Sequence, residues 1–197
     1  MNALHSACLA VLLCLAPAAP ETPKPVRVVL QTEKGEIELE LDQARAPNTV
    51  RNFLAYVDAG LFGGGVFHRT VKLAPDNQPN NAVKIQVIQG GINPARESEA
   101  LPPIPLERTR DTGLVHKDGT LSMARDTPDS AQGDFFICIG DQPELDFGGK
   151  RNPDGQGFAA FGRVVKGMDV VRAIQQAPAK GQGLTPAIKL LRASRKG

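Results

Sequence analysis

The chain has no tryptophan, one tyrosine (Tyr56), three histidines and three cysteines in 197 residues, and its formal net charge is only +2. His5, His68 and His116 have no zinc-ligand spacing, and Asp126, Asp129 and Asp134 do not follow an EF-hand order, so no metal or other cofactor is expected. Balanced charge, scattered basic residues and few aromatics argue against a surface built for phosphate backbones, so nucleic acid is not expected as a partner. Cys8 and Cys14 fall in the N-terminal apolar stretch. If that stretch is removed, Cys138 stands alone and an internal disulfide is excluded. Its setting, Phe135-Phe136-Ile137-Cys138-Ile139, is that of a packing thiol and not of a nucleophile. No apolar run is long enough to span a bilayer, so stable membrane insertion is not expected, and repeats and low-complexity tracts are absent.

What is present suits one domain with a single core, expected as a monomer. Residues 1–18 carry no Asp, Glu, Lys or Arg. Ala7 to Ala16 has the length of a secretory apolar segment, and Ala16-Pro17-Ala18 offers a small-residue cleavage site. A signal peptide over 1–18 is therefore expected, with export to a periplasmic or extracellular compartment. Leu13 is too bulky before Cys14 for a lipoprotein signal. A Pro-rich, extended lead-in follows over 19–25, then a domain over 26–193 and a basic tail over 194–197.

Within the domain, Val26 to Thr32 and Glu36 to Leu41 read as a hairpin turning at Lys34-Gly35. Glu36-Ile37-Glu38-Leu39-Glu40-Leu41 alternates strictly, which puts three glutamates on a solvated face. Pro47 suits a first helical turn, and Val50, Phe53, Leu54 and Val57 recur at helical spacing before Gly60. A second helix is expected over 167–176, ending before Pro178. Short apolar runs at 120–124, 135–139, 158–164 and 187–191 read as strands, so a mainly β barrel or sandwich is expected. Three long polar connections, 72–84, 93–119 and 147–157, are candidates for function or mobility.

The stretch from Val66 to Gly91 draws most attention. Val66-Phe67-His68-Arg69 and Ile85-Gln86-Val87-Ile88-Gln89-Gly90-Gly91 read as two strands, with Arg69 and Gln89 on the polar face and His68 expected on the face opposite Arg69. Guanidinium and carboxamide supply fixed donors, with no nucleophile or paired carboxylate beside them. Such a pair can orient and polarise an amide but is poorly equipped to hydrolyse one.

Phe67-His68-Arg69 and Gln89-Gly90-Gly91, together with Ala46-Pro47-Asn48-Thr49-Val50-Arg51-Asn52-Phe53, Leu121-Ser122-Met123-Ala124-Arg125, Phe135-Phe136-Ile137-Cys138, Leu145-Asp146 and Phe161-Gly162-Arg163, resemble the cyclophilin family of peptidyl-prolyl cis-trans isomerases in kind and order. The resemblance spans roughly 26–193. It implies a closed antiparallel eight-stranded barrel capped by two α-helices. It also implies rotation about X-Pro bonds in proline-containing polypeptides, here exported ones, without cofactor. The alternative is a proline-peptide binding or chaperone module on the same barrel. By resemblance Arg69 is catalytic. Gln89 holds the substrate backbone, Phe136 and Leu145 wall the proline pocket, and Ala124 and Arg125 lie along the peptide. The chain departs from the family at Gln86, where a Phe lines the pocket, at Val87 for a Met, at Asp134 for a Gln, at Glu144 for a Trp and at Phe158 near a usual His. Asp134 is expected to hold Arg69 or to compete for it, and Phe158 could offset Gln86. The segment 72–84 looks like an insertion.

Overall fold

The computed structural model of the chain describes residues 25–196, so the expected signal peptide and nearly all of the lead-in lie outside the described residues. Two strands open the domain, β1 (Val26–Thr32) and β2 (Gly35–Leu41), paired from Val26 opposite Leu41 to Thr32 opposite Gly35. The alternation of β2 does what its period requires: Ile37, Leu39 and Leu41 are buried in the core. Its glutamates point outward but are not simply solvated. Glu38 pairs with Arg27 and Lys196, and Glu40 with Arg27 and Arg163.

Helix α1 (Pro47–Asp58) follows. Its first amides are satisfied from a distance, since Asn48 N donates to Glu107 Oε1 at 3.1 Å and Thr49 N to Oε2 at 2.8 Å. A carboxylate placed at a helix N-terminus also complements the helix dipole. Then come β3 (Gly65–Val71), β4 (Val87–Gly91), the single-turn α2 (Thr109–Thr112), β5 (Thr120–Met123), β6 (Phe135–Cys138), β7 (Ala160–Lys166), α3 (Met168–Gln175), the two-residue β8 (Ala179–Lys180) and β9 (Gly183–Arg195). The sheet runs β1-β2-β7-β5-β6-β4-β3-β9, and β9 pairs back onto β1, so eight antiparallel strands close into a barrel with β8 appended to β9. Helices α1 and α3 are the two expected caps. The short α2 arises in the 93–119 connection, which the sequence leaves irregular.

Two boundaries move. Strand β9 runs to Arg195, because Ser194 pairs opposite Val29 and the Arg195 guanidinium bonds Asp58 at 2.6 and 2.8 Å, so Ser194 and Arg195 belong to the barrel and not to a tail. Strand β7 begins at Ala160 and not at Phe158, which leaves Phe158 free to pack elsewhere.

Strand β6 has two apolar faces, and they serve different clusters. Phe135 and Ile137 join the interior core with Phe53, Phe67 and Phe161. Phe136 and Cys138 face outward into a second cluster with Val71, Ile85, Val87 and Leu145. Cys138 is fully buried there, and burial pushes its thiol well above the ordinary range, as a packing residue requires.

Candidate active site

The outer apolar cluster floors a groove of about 850 Å³ on the barrel's outside. Register explains which side chains reach it. Strand β3 carries a bulge between Phe67 and Arg69, where Phe67 stands opposite Gly90 and Arg69 opposite Gln89. The extra residue, His68, therefore turns to the same face as Arg69, and both line the groove. The expectation of opposite faces fails because a bulge breaks the two-residue period. Along β4 and the extended residues just before it, Ile85, Val87 and Gln89 lie two apart and share the groove face. Gln86 lies between them and is not on the wall. Its backbone N donates to Gln142 Oε1 at 3.2 Å, and its carbonyl accepts from Ile139 N at 2.9 Å. Ile85 supplies the apolar surface expected near position 86.

Arg69 is held as a plane. Nε donates to Gln182 Oε1 at 2.8 Å and Nη1 to Gln89 Oε1 at 2.9 Å. Gln182 is fixed in turn, since its Nε2 donates to Asn77 O at 2.8 Å. Asn77 and Gln78 are buried, so the 72–84 segment folds on its own polar side chains: Asn77 Nδ2 donates to Gly181 O at 2.8 Å and Gln78 Nε2 to Ile85 O at 2.9 Å. Burial lowers the pKa of Arg69, and among the described residues its partners are neutral carbonyls only.

Asp134 neither holds Arg69 nor competes for it. Its Oδ2 accepts from Gln89 Nε2 at 3.3 Å, so the glutamine amide spans the two, offering its oxygen to the arginine and its nitrogen to the carboxylate. Glycine at 91 makes room for this, because a Cβ there would sit 1.8 Å from Asp134 Oδ1. Burial raises the Asp134 pKa, and the charges of Glu97 and Asp126 add to it, against His68 and the Gln89 bond. A carboxyl that binds its proton more tightly when folded contributes stability below its unfolded pKa of about 4. That contribution is lost as pH rises through the higher folded value. Asp134→Asn is therefore expected to be more stable than wild type at pH 7 and to lose that advantage at pH 3, measured by urea denaturation at both. A deficit at pH 7 would mean that the carboxylate's bonds outweigh its burial.

Phe136 forms the pocket floor, with Phe158 edge-on at 5.3 Å and 90°, Leu145 buried beside it and Ala124 at the rim. Phe158 thus swings into the pocket. Arg125 reaches the groove but is committed to the fold. Its side chain is 1% exposed, pairs with Asp154 at 2.8 Å, donates to Gly157 O at 2.6 Å and lies over the Phe158 ring at 5.1 Å. Behind Phe136, His116 Nδ1 meets Asp146 Oδ1 at 2.7 Å and Nε2 meets Ser122 Oγ at 2.9 Å. The three residue types are those of a hydrolytic triad, but Ser122 is wholly buried and His116 stacks on Phe136 at 5.9 Å, so they support the pocket from below. Sequence reasoning missed Ile85, Gln182 and Arg151. Two of these sit in or against long connections, and nothing in their residue types marks them.

Residues 27–195 match the family model for cyclophilin type peptidyl-prolyl cis-trans isomerase/CLD. Peptidyl-prolyl cis-trans isomerase A of Dickeya dadantii is 36% identical over 173 residues, covering 87% of this chain and 82% of the relative. Peptidyl-prolyl cis-trans isomerase B of Escherichia coli is 36% identical over 149 residues, covering 75% and 83%. The crystal structure of a cyclophilin type isomerase from Cryptosporidium parvum superposes with a TM-score of 0.69 at 21% identity, over 88% of this chain and 98% of that one, which speaks to the fold.

Proposed function

The chain belongs to the cyclophilin-type peptidyl-prolyl cis-trans isomerase family and isomerises X-Pro bonds, and we propose that Arg69 is the group on which its catalysis turns. An X-Pro bond interconverts unaided in tens to hundreds of seconds, because partial double-bond character sets a barrier of about 18–20 kcal/mol. Rotation takes the imide nitrogen out of conjugation and leaves a lone pair on it. A fixed cationic donor aimed at that lone pair binds the twisted state more tightly than either planar one, which is the differential binding that catalysis needs.

The observation that carries this reading is how the guanidinium spends its donors. Nε and Nη1 are taken by Gln182 and Gln89, and Nη2 has no protein partner among the described residues, beside an apolar floor. Two carbonyls hold the plane without neutralising it. In this reading the proline ring sits on Phe136 between Leu145, Val87 and Phe158, and Gln89 and Ala124 meet the peptide backbone. The step needs no covalent intermediate, since only a torsion changes. A binding module without catalysis would suit a groove from which the donor is withdrawn, and Arg69 is not withdrawn. Exchange spectroscopy on a blocked Ala-Pro peptide tests the assignment: wild-type protein no faster than Arg69→Ala would remove Arg69 from the role.

We further propose that the substrates are exported polypeptides. The uncharged, apolar residues 1–18 ending Ala16-Pro17-Ala18 support this. Among the described residues no helix is long and apolar enough to cross a membrane. Protein recovered from the cell envelope or medium is expected to have the mass of a chain that begins after residue 18; recovery of the uncut chain from the cytosol would overturn the proposal.

A further inference from the structure

The groove carries two uncompensated guanidiniums where imide rotation asks for one. Arg151 lies in the 147–157 connection, with its backbone N donating to Glu144 O at 3.1 Å, and its side chain lines the groove. Nη1 donates to Gln78 Oε1 at 3.1 Å and to Val83 O at 2.6 Å, so the two long connections meet at this side chain. Nε and Nη2 have no protein partner among the described residues, and no carboxylate there pairs with either Arg151 or Arg69. Burial lowers the pKa of both, and the positive charge of Arg69 lowers that of Arg151 further, so the two cations repel across a partly desolvated space.

The contrast lies in the same groove. Arg125 is fully paired with Asp154. The carboxylates that border the groove, Asp134, Glu97 and Asp126, do not pair with Arg69 or Arg151. Asp134 is kept from Arg69 by the intervening Gln89 amide and lies 3.7 Å from His68 Nε2, so the two guanidiniums keep donors to spare. A substrate carboxylate laid there would form charge-assisted bonds in a partly dry site and relieve the repulsion, whereas a substrate ammonium would meet like charge.

We propose that Arg151 makes the isomerase selective for prolyl substrates that carry a carboxylate close to the proline. The inference rests on the isomerase reading of this groove and adds the substrate class. The carboxylate can come from an Asp or Glu side chain or from a chain end, and the chemistry of recognition is the same.

Exchange spectroscopy on blocked peptides with Glu, Gln or Lys immediately before or after the proline tests it. With wild-type protein, kcat/KM for the better-placed Glu peptide is expected to exceed that for its Gln counterpart about tenfold, with Lys below Gln. That ratio should shrink in 0.5 M salt, where Debye screening reaches only a few ångströms. In Arg151→Gln the Glu-to-Gln ratio is expected to fall to about one, and Arg151→Lys should keep part of it. Taking ratios within each enzyme removes any general loss from a disturbed loop. Repeating the series with free and amidated C-termini assigns the partner to a chain end or to a side chain. A wild-type ratio near one, or one unchanged in Arg151→Gln, overturns the proposal. Absence of turnover on the Gln peptides by wild-type protein would instead strike at the isomerase reading beneath it.

Discussion

Arg69→Ala is expected to lower kcat/KM on an X-Pro peptide about 100- to 1,000-fold, the loss typical of removing one pre-aligned donor from a developing charge. Each factor of ten is about 1.4 kcal/mol of barrier, so the side chain is being asked for roughly 3–4 kcal/mol. The fold should survive, because the groove lies outside the barrel interior and the two carbonyls freed, on Gln89 and Gln182, can take water. Arg69→Lys should recover little. An ammonium keeps the charge but cannot donate to Gln89 and Gln182 from one plane while presenting a third donor to the substrate. Gln182→Leu offers a graded intermediate. It removes the Nε anchor and the link to Asn77 and leaves the donor itself. A fall in kcat of about tenfold with KM little moved is expected, as suits a positioning residue whose effect lies in the transition state. Gln182→Glu retains an acceptor for Nε and should restore part of that loss. Protease-coupled or NMR exchange kinetics, with circular dichroism as the check on folding, measures all four. A loss of less than tenfold in Arg69→Ala would shift the burden to desolvation by the pocket.

How far the sequence foretold this site depends on what kind of signal each residue gives. The barrel was legible where period and burial coincide: Glu36 to Leu41 alternates and folds as it reads, and the helical spacing of Val50, Phe53, Leu54 and Val57 marks the buried stripe of α1. Arg69, Gln89, Phe136 and Leu145 were legible through their order along the chain, and they do meet in one groove. Gln86 stays off the wall because neighbouring residues of a regular extended chain point to opposite sides, so a wall that includes Val87 and Gln89 passes over it. The same rule applied to His68 failed for the opposite reason: a bulge is a property of the pairing and leaves no mark in residue type. Gln182, Asn77 and Arg151 act across more than 70 residues of chain, through connections whose paths are set by buried amides with no periodicity. Loop-borne determinants of this kind become visible only when the backbone that carries them is in place.

Phe53→Ala is expected to cost about 3–5 kcal/mol, near the top of the range for deleting a buried ring. Phe53 has no exposed surface and joins α1 to β6, β7 and the turn before β3: its ring lies 5.1 Å from Phe62, 5.5 Å and edge-on from Phe135, and 5.2 Å from Phe161. Aromatic contacts of this geometry add about 0.5–1.5 kcal/mol per pair beyond burial. The cavity is also hard to refill. Phe62 and Phe135 are themselves edge-on at 5.5 Å, and Phe67 packs on Phe135 at 5.8 Å, so a ring moving into the void would lose its own partners. For a domain of this size the loss corresponds to a fall in melting temperature of roughly 10 °C or more. Phe53→Leu, which restores most of the volume, should lose less than half as much. Phe135 links this cluster to its neighbour Phe136 on the groove side of the same strand. Isomerase activity measured well below the lowered melting point should nonetheless stay within about twofold of wild type, since two-sided strands let the core loosen before the groove does. Equal losses of stability and of cold activity would mean that the aromatic core sets the shape of the proline pocket directly.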